Sequence, residues 1–348
     1  MKIFKYLLFL LLIVLIGASI YIATKDGNFQ VEETQVFDAP QELIFNEVNN
    51  FENWQYWAPW STTSKANISF GDTIKGVGAS YAWENGPIGE GRLKTIESKP
   101  FSEITQKIKI SNLLGEANNK VSWNFDPLEN NKTQVTWTIT GSQSFKEKFW
   151  SLFEDQTLAE RIQPEISKGL AAMQKVIDNK MNEYSITVDG VVNHGGGYYM
   201  YMTTASKISQ VNSKMRPMIT EVSNFMETQG FEKLGNPVVI YNEWNQSNNS
   251  AIFSAGYFTP NEVRTPIDAD VLNGSMPNQK VLKTVLKGKY DNIEEAWKKA
   301  YKYIDENGLE IAQDAKAFEV YITNPIETVN PADWITNIYI PIKEIKND

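Results

Sequence analysis

An uncharged apolar run near the start of the chain places the strongest constraint on its fold. Residues Tyr6–Thr24 contain no charged side chain, and Lys2 and Lys5 precede them. A helix of residues 6–24 spans about 28 Å, close to the thickness of the hydrocarbon layer of a bilayer. Because lysines favour the cytoplasmic side, residues 1–27 are expected to form a single-pass anchor whose N-terminus is cytoplasmic. Everything after Lys25 is then extracytoplasmic, and periplasmic in a Gram-negative cell.

A cleaved signal peptide is the alternative interpretation of this run. Gly17-Ala18-Ser19 offers small residues at the spacing of a cleavage site. The run is, however, longer than the roughly 7–15 apolar residues of a typical signal peptide. Its length favours a retained anchor that contacts the lipid bilayer through residues 6–24, while the small residues keep the alternative open.

Composition limits the chemistry available to the rest of the chain. Its 348 residues include no cysteine and one histidine, and the formal net charge is -9. This length favours two domains. Without cysteine, neither a disulfide scaffold nor a thiolate metal site is available, and one histidine excludes a multi-histidine metal site. The acidic balance argues against a nucleic-acid partner. No cofactor or metal is predicted.

The first soluble region, residues 28–182, is rich in tryptophan and has the pattern of an antiparallel sheet. A strand over 30–37 and a helix over 41–49 are followed by five strand-like segments with turn residues between them. A helical pattern over 145–181 closes the region, and Pro164 within it predicts a kink or a fresh helix start. These segments predict a curved sheet wrapped around a long helix.

Several motifs of this region resemble the START-like (SRPBCC, polyketide-cyclase-like) superfamily. The main one follows Ala39-Pro40 and reads Phe51-x-x-Trp54-x-x-Trp57-x-Pro59-Trp60. Two glycine hairpins and a Gly-Leu pair in the closing helix add to it: Gly76-Val77-Gly78, Gly89-Glu90-Gly91 and Gly169-Leu170. The resemblance implies a helix-grip fold with an apolar cavity between sheet and helix. The three tryptophans of the main motif either rim that cavity, face the membrane surface or pack the short helices.

The second soluble region, residues 185–346, repeats one pattern at an interval of about 80 residues. In each half a strand precedes a helix that ends at a glycine, Gly230 or Gly308, and two strands follow. Tyr241 in the first half corresponds to Tyr321 in the second. A β-α-β-β unit buries only one sheet face on its own helix, so two paired units are expected to leave a cleft between them.

This doubled region resembles the GyrI-like effector-binding domain, which is also found behind DNA-binding modules in AraC- and MerR-type regulators. The residues that carry the resemblance are Gly288-x-Tyr290, Trp297, Phe318-Glu319-x-Tyr321 and Tyr339-x-Pro341. The resemblance implies that the glutamate matching Glu319 lies in a ligand cleft and meets cationic or polarised ligands. Asn337 stands where the family often has an acidic residue, which weakens the expectation of a cation preference. The fold class is therefore α+β: a helix-grip domain, a pseudo-duplicated β-α-β-β domain and one N-terminal transmembrane helix.

The orientation of Glu319 follows from strand alternation. Phe318, Val320 and Ile322 share one face, and Glu319 and Tyr321 share the other. We expect the wholly apolar face to meet the helices and the Glu319 face to look into the cleft or into water. An ordinary solvated glutamate is the alternative. A carboxylate among tyrosines can orient a ligand, meet a cation or accept a proton.

Aromatic residues accompany Glu319 as candidate ligand-binding positions, because aromatic rings stack on flat ligands and hold cations. The predicted set is Tyr257, Tyr290, Trp297, Glu319, Tyr321 and Trp334. Trp297 and Tyr301 share a helix face, where core packing is the simpler explanation. These residues favour a membrane-anchored protein that binds a small hydrophobic or aromatic ligand, with an apolar molecule in the START-like cavity.

An enzyme is the second hypothesis. A hydrolase or cyclase that acts on a small electrophile would use Glu319 as general base and Tyr290 or Tyr321 as hydrogen-bond donor. A transcription factor is disfavoured, because a membrane span and a START-like region stand where regulators carry a DNA-binding module. A sensor that signals through a protein partner remains open.

Overall fold

Two separate sheets organise the chain, one in each of two units, Met1–Lys180 and Met181–Asp348. The computed structural model describes residues 2–60, 67–86, 89–112, 115–266 and 268–343. The predicted domain limits, 28–182 and 185–346, remain predictions, and residues 344–346 lie outside the described residues.

The N-terminal helix α1 (Lys2–Thr24) presents apolar side chains on nearly all sides. Between Ile3 and Thr24 only Ile22 is buried. The helix is long and apolar enough to cross a membrane. A signal sequence can have the same length and composition. The prediction of an apolar helix of spanning length is therefore confirmed, and both interpretations of it remain.

The first unit continues with a seven-stranded antiparallel sheet and helices that pack on it. Its elements are β1 (Asn28–Phe37), α2 (Gln41–Asn49), α3 (Phe51–Trp54), β2 (Asn67–Phe70), β3 (Ser80–Gly86), β4 (Gly89–Lys99), β5 (Glu103–Asn112), β6 (Gly115–Pro127), β7 (Thr133–Ser142), α4 (Phe145–Trp150), a 3-10 turn (Ser151–Phe153) and α5 (Leu158–Asn182). The strand order is β1-β7-β6-β5-β4-β3-β2. Ile166, Leu170 and Ile177 of α5 share its buried face. The helix-grip prediction is confirmed.

The closing helical stretch consists of two helices rather than the one that the sequence pattern predicted. Each begins with a capping box. At α4, Ser144 Oγ accepts a hydrogen bond from the Glu147 amide and the Glu147 carboxylate accepts one from the Ser144 amide. At α5, Thr157 and Glu160 exchange the same pair of bonds. The break therefore falls before Thr157, and Pro164 lies inside α5.

Aromatic side chains fill much of the space beneath α5. Those that are essentially inaccessible to solvent are Trp54, Trp57, Trp83, Trp123, Trp137, Tyr81, Phe37, Phe51 and Phe125. Trp123 and Trp137 stack with ring centroids 4.3 Å apart, and Trp60 stacks on Trp83 at 5.1 Å. Core packing is thus the interpretation that fits Trp54 and Trp57, whereas Trp60 packs on Trp83 and also borders a cavity between the sheet and α5.

The second unit contains an eight-stranded antiparallel sheet and two helices. Its elements are β8 (Ser185–His194), β9 (Gly197–Lys207), α6 (Val211–Gln229), β10 (Leu234–Asn245), β11 (Ser250–Thr259), β12 (Leu272–Met276), β13 (Gln279–Lys287), α7 (Ile293–Glu306), β14 (Phe318–Tyr321) and β15 (Ile335–Pro341). The strand order is β12-β9-β11-β10-β14-β15-β13-β8. The duplicated pattern is confirmed, since β9-α6-β10-β11 and β13-α7-β14-β15 form the two halves.

The two halves join edge to edge through β10 and β14. The pairs are Val238 with Val320, Val239 with Glu319 and Ile240 with Phe318. Residues opposite each other in an antiparallel ladder point to the same face. Val239 packs against α6, and Ile338, which also pairs with Glu319, packs against α7. Both helices therefore cover the face of the sheet on which Glu319 lies.

Gly91 provides a test of the aromatic core, because it pairs with Trp83 and a Cβ atom there would overlap the indole ring. We expect Gly91→Ala to lower the free energy of unfolding of the first unit by about 1–3 kcal/mol, since the buried ring must shift. Urea denaturation measures this change. The same substitution in a Trp83→Leu background should cost less, because the ring is gone. An equal cost in both backgrounds would contradict the explanation.

Candidate functional sites

The carboxylate of Glu319 is completely buried in the second unit. Trp297 of α7 donates a hydrogen bond to it, so the Glu319 face of β14 is the face that meets the helices. The prediction that the wholly apolar face meets the helices is wrong. Phe318, on the opposite face, is buried in an apolar cluster with Val238 and Phe258. Because both faces of β14 are covered, polarity along the strand did not identify the helix side.

Three aromatic donors hold the Glu319 carboxylate. Trp297 Nε1 donates to Oε1 at 2.6 Å, and the Tyr321 hydroxyl donates to Oε2 at 2.6 Å. The Tyr241 hydroxyl is a further hydrogen-bond partner. Within the described parts of the chain, no lysine, arginine or histidine forms an ion pair with Glu319. The site is therefore a buried acid solvated by ring N–H and O–H groups.

Desolvation dominates the electrostatics of this cluster. Burial raises the pKa of Glu319, and the hydrogen bonds from Tyr321, Trp297 and Tyr241 oppose that rise only in part. Burial and the nearby Glu319 charge raise the pKa of Tyr321 and of Tyr241 well above the ordinary tyrosine value. Both tyrosines therefore stay neutral donors at physiological pH.

Further aromatic rings extend the cluster beneath α6. Tyr290 contacts Tyr321 edge to face at 5.2 Å and Trp334 at 4.8 Å. The Trp334 indole donates to the Thr328 carbonyl at 2.8 Å, which fixes its orientation. The Arg216 guanidinium lies 6.0 Å from the centre of the Tyr290 ring. We call Tyr241, Tyr290, Trp297, Glu319, Tyr321 and Trp334 the Glu319 cluster.

Two residues singled out from the sequence lie elsewhere. Tyr257 packs near the end of α6 with Val222 and Met226, and Lys233 lies 5.4 Å from its ring centre. Asn337 pairs with Val320 and so points to the sheet face opposite Glu319. Its identity therefore does not weaken a cation preference at the Glu319 cluster.

One member of the cluster was not among the predicted site residues. Tyr241 lies on β10 and contacts Trp297 edge to face at 5.6 Å. The signal that identifies it is the internal repeat, which makes Tyr241 the counterpart of Tyr321. The pairing of β10 with β14 then brings both hydroxyls to one carboxylate.

The first unit contains a cavity of about 330 Å³ between the sheet and α5. Ligand pockets commonly range over roughly 300–1000 Å³, so this space suits a small molecule or one acyl chain. The apolar lining includes Phe29, Ile108, Ile110, Trp137, Ile139, Leu158, Ile162 and Ile166. Arg161 and Glu154, which form an ion pair at 2.7 Å, also line it. The expected cavity is thus present beside the packed tryptophans.

Three residues of the lining carry buried polar atoms whose partners are missing. Among the described residues, nothing hydrogen-bonds to Trp60 Nε1, Trp137 Nε1 or Asn119 Oδ1. Leaving such a group unsatisfied costs about 1–3 kcal/mol. A ligand with a polar end would recover part of this energy.

Family comparisons agree with the two predicted regions. Residues 28–178 match the family model described as polyketide cyclase / dehydrase and lipid transport. Residues 220–343 match the family model described as the GyrI-like small molecule binding domain. The prediction of a START-like region followed by a GyrI-like region is confirmed, and both matched families bind small molecules or other ligands. No curated protein matches the chain.

Solved structures resemble parts of the chain only remotely. Protein CV1439 from Chromobacterium violaceum is 12% identical over 42% of this chain and 95% of its own, with a TM-score of 0.33. The EcmrR C-terminal domain is 16% identical over 47% of this chain and 99% of its own, with a TM-score of 0.38. The Aha1 dimer from Colwellia psychrerythraea is 13% identical over 42% of this chain and 95% of its own, with a TM-score of 0.31.

The raised pKa of Glu319 predicts a pH-dependent stability. The folded state retains a proton that the unfolded chain releases near the ordinary value of 4.5. The free energy of unfolding should therefore fall as pH rises from that value through the raised pKa. Glu319→Gln cannot bind this proton. Over the same pH range, its free energy of unfolding relative to that of wild type should therefore rise with pH, as measured by urea denaturation of the second unit.

Glu227→Gln is the matched control for that experiment. Glu227 is exposed and hydrogen-bonds Lys233, which lowers its pKa, so its replacement should not reproduce the rise. A stability difference between Glu319→Gln and wild type that does not change with pH would contradict the raised pKa.

Proposed function

We propose that this chain is a membrane-anchored small-molecule-binding protein. Its START-like region holds a small apolar molecule with one polar end, and its GyrI-like region binds a small aromatic ligand at the Glu319 cluster. The observation that carries the proposal is the apolar cavity of about 330 Å³ between the first sheet and α5.

The chemistry of the cavity favours an amphiphile with one chain. Most of its lining residues are apolar, with isoleucine and aromatic side chains the commonest of these, and they stabilise an apolar ligand by removing its surface from water. The unpartnered indole N–H groups of Trp60 and Trp137 can donate to an acceptor such as a carboxylate or carbonyl oxygen. A medium-chain fatty acid has both features. The volume argues against a lipid with several long chains.

Burying Glu319 is energetically unfavourable if the cluster serves only the fold, and this supports a second binding site there. A buried carboxylate without a cation loses several kcal/mol of hydration, which three donors offset only in part. Strongly perturbed acids of this kind concentrate at functional sites. Trp297 is only half-buried and covers Oε1, so its rotation would expose the carboxylate to a ligand stacked on Tyr290 and Trp334.

The Glu319 cluster is expected to favour a positively charged ligand. Glu319 has no ion-pair partner among the described residues, and the surrounding ring faces attract positive charge. The Glu319 cluster is therefore expected to prefer an aromatic cation over a neutral ligand of the same shape.

The membrane attachment rests on α1. Its length and its exposed apolar surface suit a retained span. Lys2 and Lys5 favour a cytoplasmic N-terminus, which places both ligand-binding regions outside the cytoplasm.

Binding is better supported than catalysis at Glu319. Both carboxylate oxygens already accept hydrogen bonds, one from Trp297 and one from Tyr321. A general base needs an open approach to the proton that it removes. Tyr290, the other proposed donor, meets Tyr321 through ring contact.

Filling the cavity tests the first binding site. Ala117 lines the cavity from β6. We expect Ala117→Trp to reduce occupancy by a medium-chain fatty acid about tenfold, measured by native mass spectrometry of the full chain released from mild detergent. Glu116→Trp, on the exposed side of the same strand, is the control and should bind as wild type does. Wild-type occupancy in Ala117→Trp would contradict the cavity assignment.

A pair of ligands of equal shape tests the second binding site. Benzyltrimethylammonium and neopentylbenzene differ in charge but hardly in size. We expect calorimetry to show that wild type binds the cation about tenfold more tightly, and that Glu319→Gln loses this preference. Glu227→Gln should retain it, because that carboxylate is exposed and paired with Lys233. Equal affinities for both ligands in wild type would exclude charge recognition by Glu319.

A further inference from the structure

A short segment of the first unit exposes an unusual density of apolar side chains. Residues 145–153, which comprise α4 and the 3-10 turn, are called the aromatic segment here. Its exposed apolar residues are Phe145, Phe149, Trp150, Leu152 and Phe153. Phe153 is 70% exposed, although its ring contacts Phe149 at 5.3 Å and Trp150 at 6.4 Å. A contiguous exposed patch of this kind marks an interaction surface.

Direct hydrogen bonds place the aromatic segment at the end of α1. Lys148 Nζ donates to the Lys25 carbonyl at 2.6 Å, one residue beyond the end of the helix. The Gln143 amide, two residues before α4, donates to the Gly27 carbonyl at 2.8 Å. When α1 spans a bilayer, the aromatic segment therefore lies where the chain leaves the hydrocarbon layer.

The composition of the aromatic segment suits a bilayer surface. The headgroup layer on each side of the hydrocarbon is about 5–8 Å thick, and tryptophan is enriched there. Lys146 lies between the aromatic residues, is exposed and can meet anionic headgroups. Lipid is the occupant that the position next to α1 selects, because a protein partner would have to displace the bilayer from this surface.

The aromatic segment also forms part of the cavity. Trp150 and Glu147 of α4 line it, as does Glu154 immediately after the 3-10 turn. Trp150 is half exposed, so this end of the cavity adjoins the exposed patch. The segment that would contact lipid therefore also forms part of the cavity wall.

We propose that the aromatic segment docks onto the bilayer surface next to α1, so that the START-like cavity exchanges its ligand directly with the membrane. This inference rests on the proposed anchoring by α1 and the proposed apolar ligand. Docking removes the exposed phenylalanine surface from water and shortens the path of an acyl chain to the cavity.

Single-cysteine labelling of the full chain tests the docking, because the natural sequence contains no cysteine. Phe153→Cys, Ile13→Cys and Val36→Cys are each labelled with a fluorophore and reconstituted into vesicles of phosphatidylcholine and phosphatidylglycerol. Lipids that carry a nitroxide high on the acyl chain quench fluorophores in the interface. Val36 is 49% exposed and lies about 27 Å along β1 from Asn28, so it is the matched control.

Quenching of the Phe153 label, with the Val36 label unquenched, is the expected result. Quenching at Ile13 with no more quenching at Phe153 than at Val36 would overturn the docking and leave the span of α1 intact. Failure to quench the Ile13 label would instead remove the anchored function on which the inference rests. A Phe153 label that is shielded from water but not quenched by lipid would indicate a protein contact and also overturn the proposal.

A rate measurement tests the exchange. Neither Phe149 nor Phe153 lines the cavity. The double variant Phe149→Glu/Phe153→Glu should take up a fluorescent fatty acid from vesicles about tenfold more slowly. A tenfold change corresponds to about 1.4 kcal/mol, which is less than the free energy gained by burying one phenylalanine side chain. The equilibrium occupancy of the double variant should match wild type. An unchanged uptake rate would overturn direct exchange with the membrane.

Discussion

The ladder between β10 and β14 is the interaction on which the Glu319 cluster depends. Three residue pairs join β10 to β14, and Glu319 forms the middle one with Val239. Because α6 covers Val239 and α7 contributes Trp297, the carboxylate loses its water from both sides. The donors that replace this water come from both halves, Tyr241 from the first and Tyr321 from the second. Desolvation of one acid thus links the duplicated architecture to the proposed binding site.

The first unit divides its interior between packing and space. Stacked indoles such as Trp123 and Trp137 fill the region near the short helices. The cavity remains where isoleucines from the sheet face the first turns of α5. Trp137 borders both regions, so rigid aromatic packing can hold the cavity open while its N–H is available to a ligand. The exposed aromatic residues of α4 lie between this space and the end of α1.

Much of the architecture could be predicted from sequence, because periodicity and turn residues act locally. The helix Gln41–Asn49 matches its predicted limits, and α6 ends at its predicted glycine, Gly230. The break before α5 was not predicted. The Thr157–Glu160 capping box marks where this helix begins, whereas Pro164 lies inside it. The helix-facing side of β14 was also missed, because an apolar cluster around Phe318 covers its other face.

The sequence by itself determined the apolar helix of spanning length, the two regions and the acid among tyrosines, since composition, spacing and repetition need no distant contact. Only the tertiary structure decided which acid and rings meet. The pairing register turns Asn337 away from Glu319 and brings Tyr241 to it, and Tyr257 lies near Lys233 instead. The physical reason is that burial and hydrogen-bond distance depend on residues far apart in the chain. Those contacts arise only once both halves share one sheet.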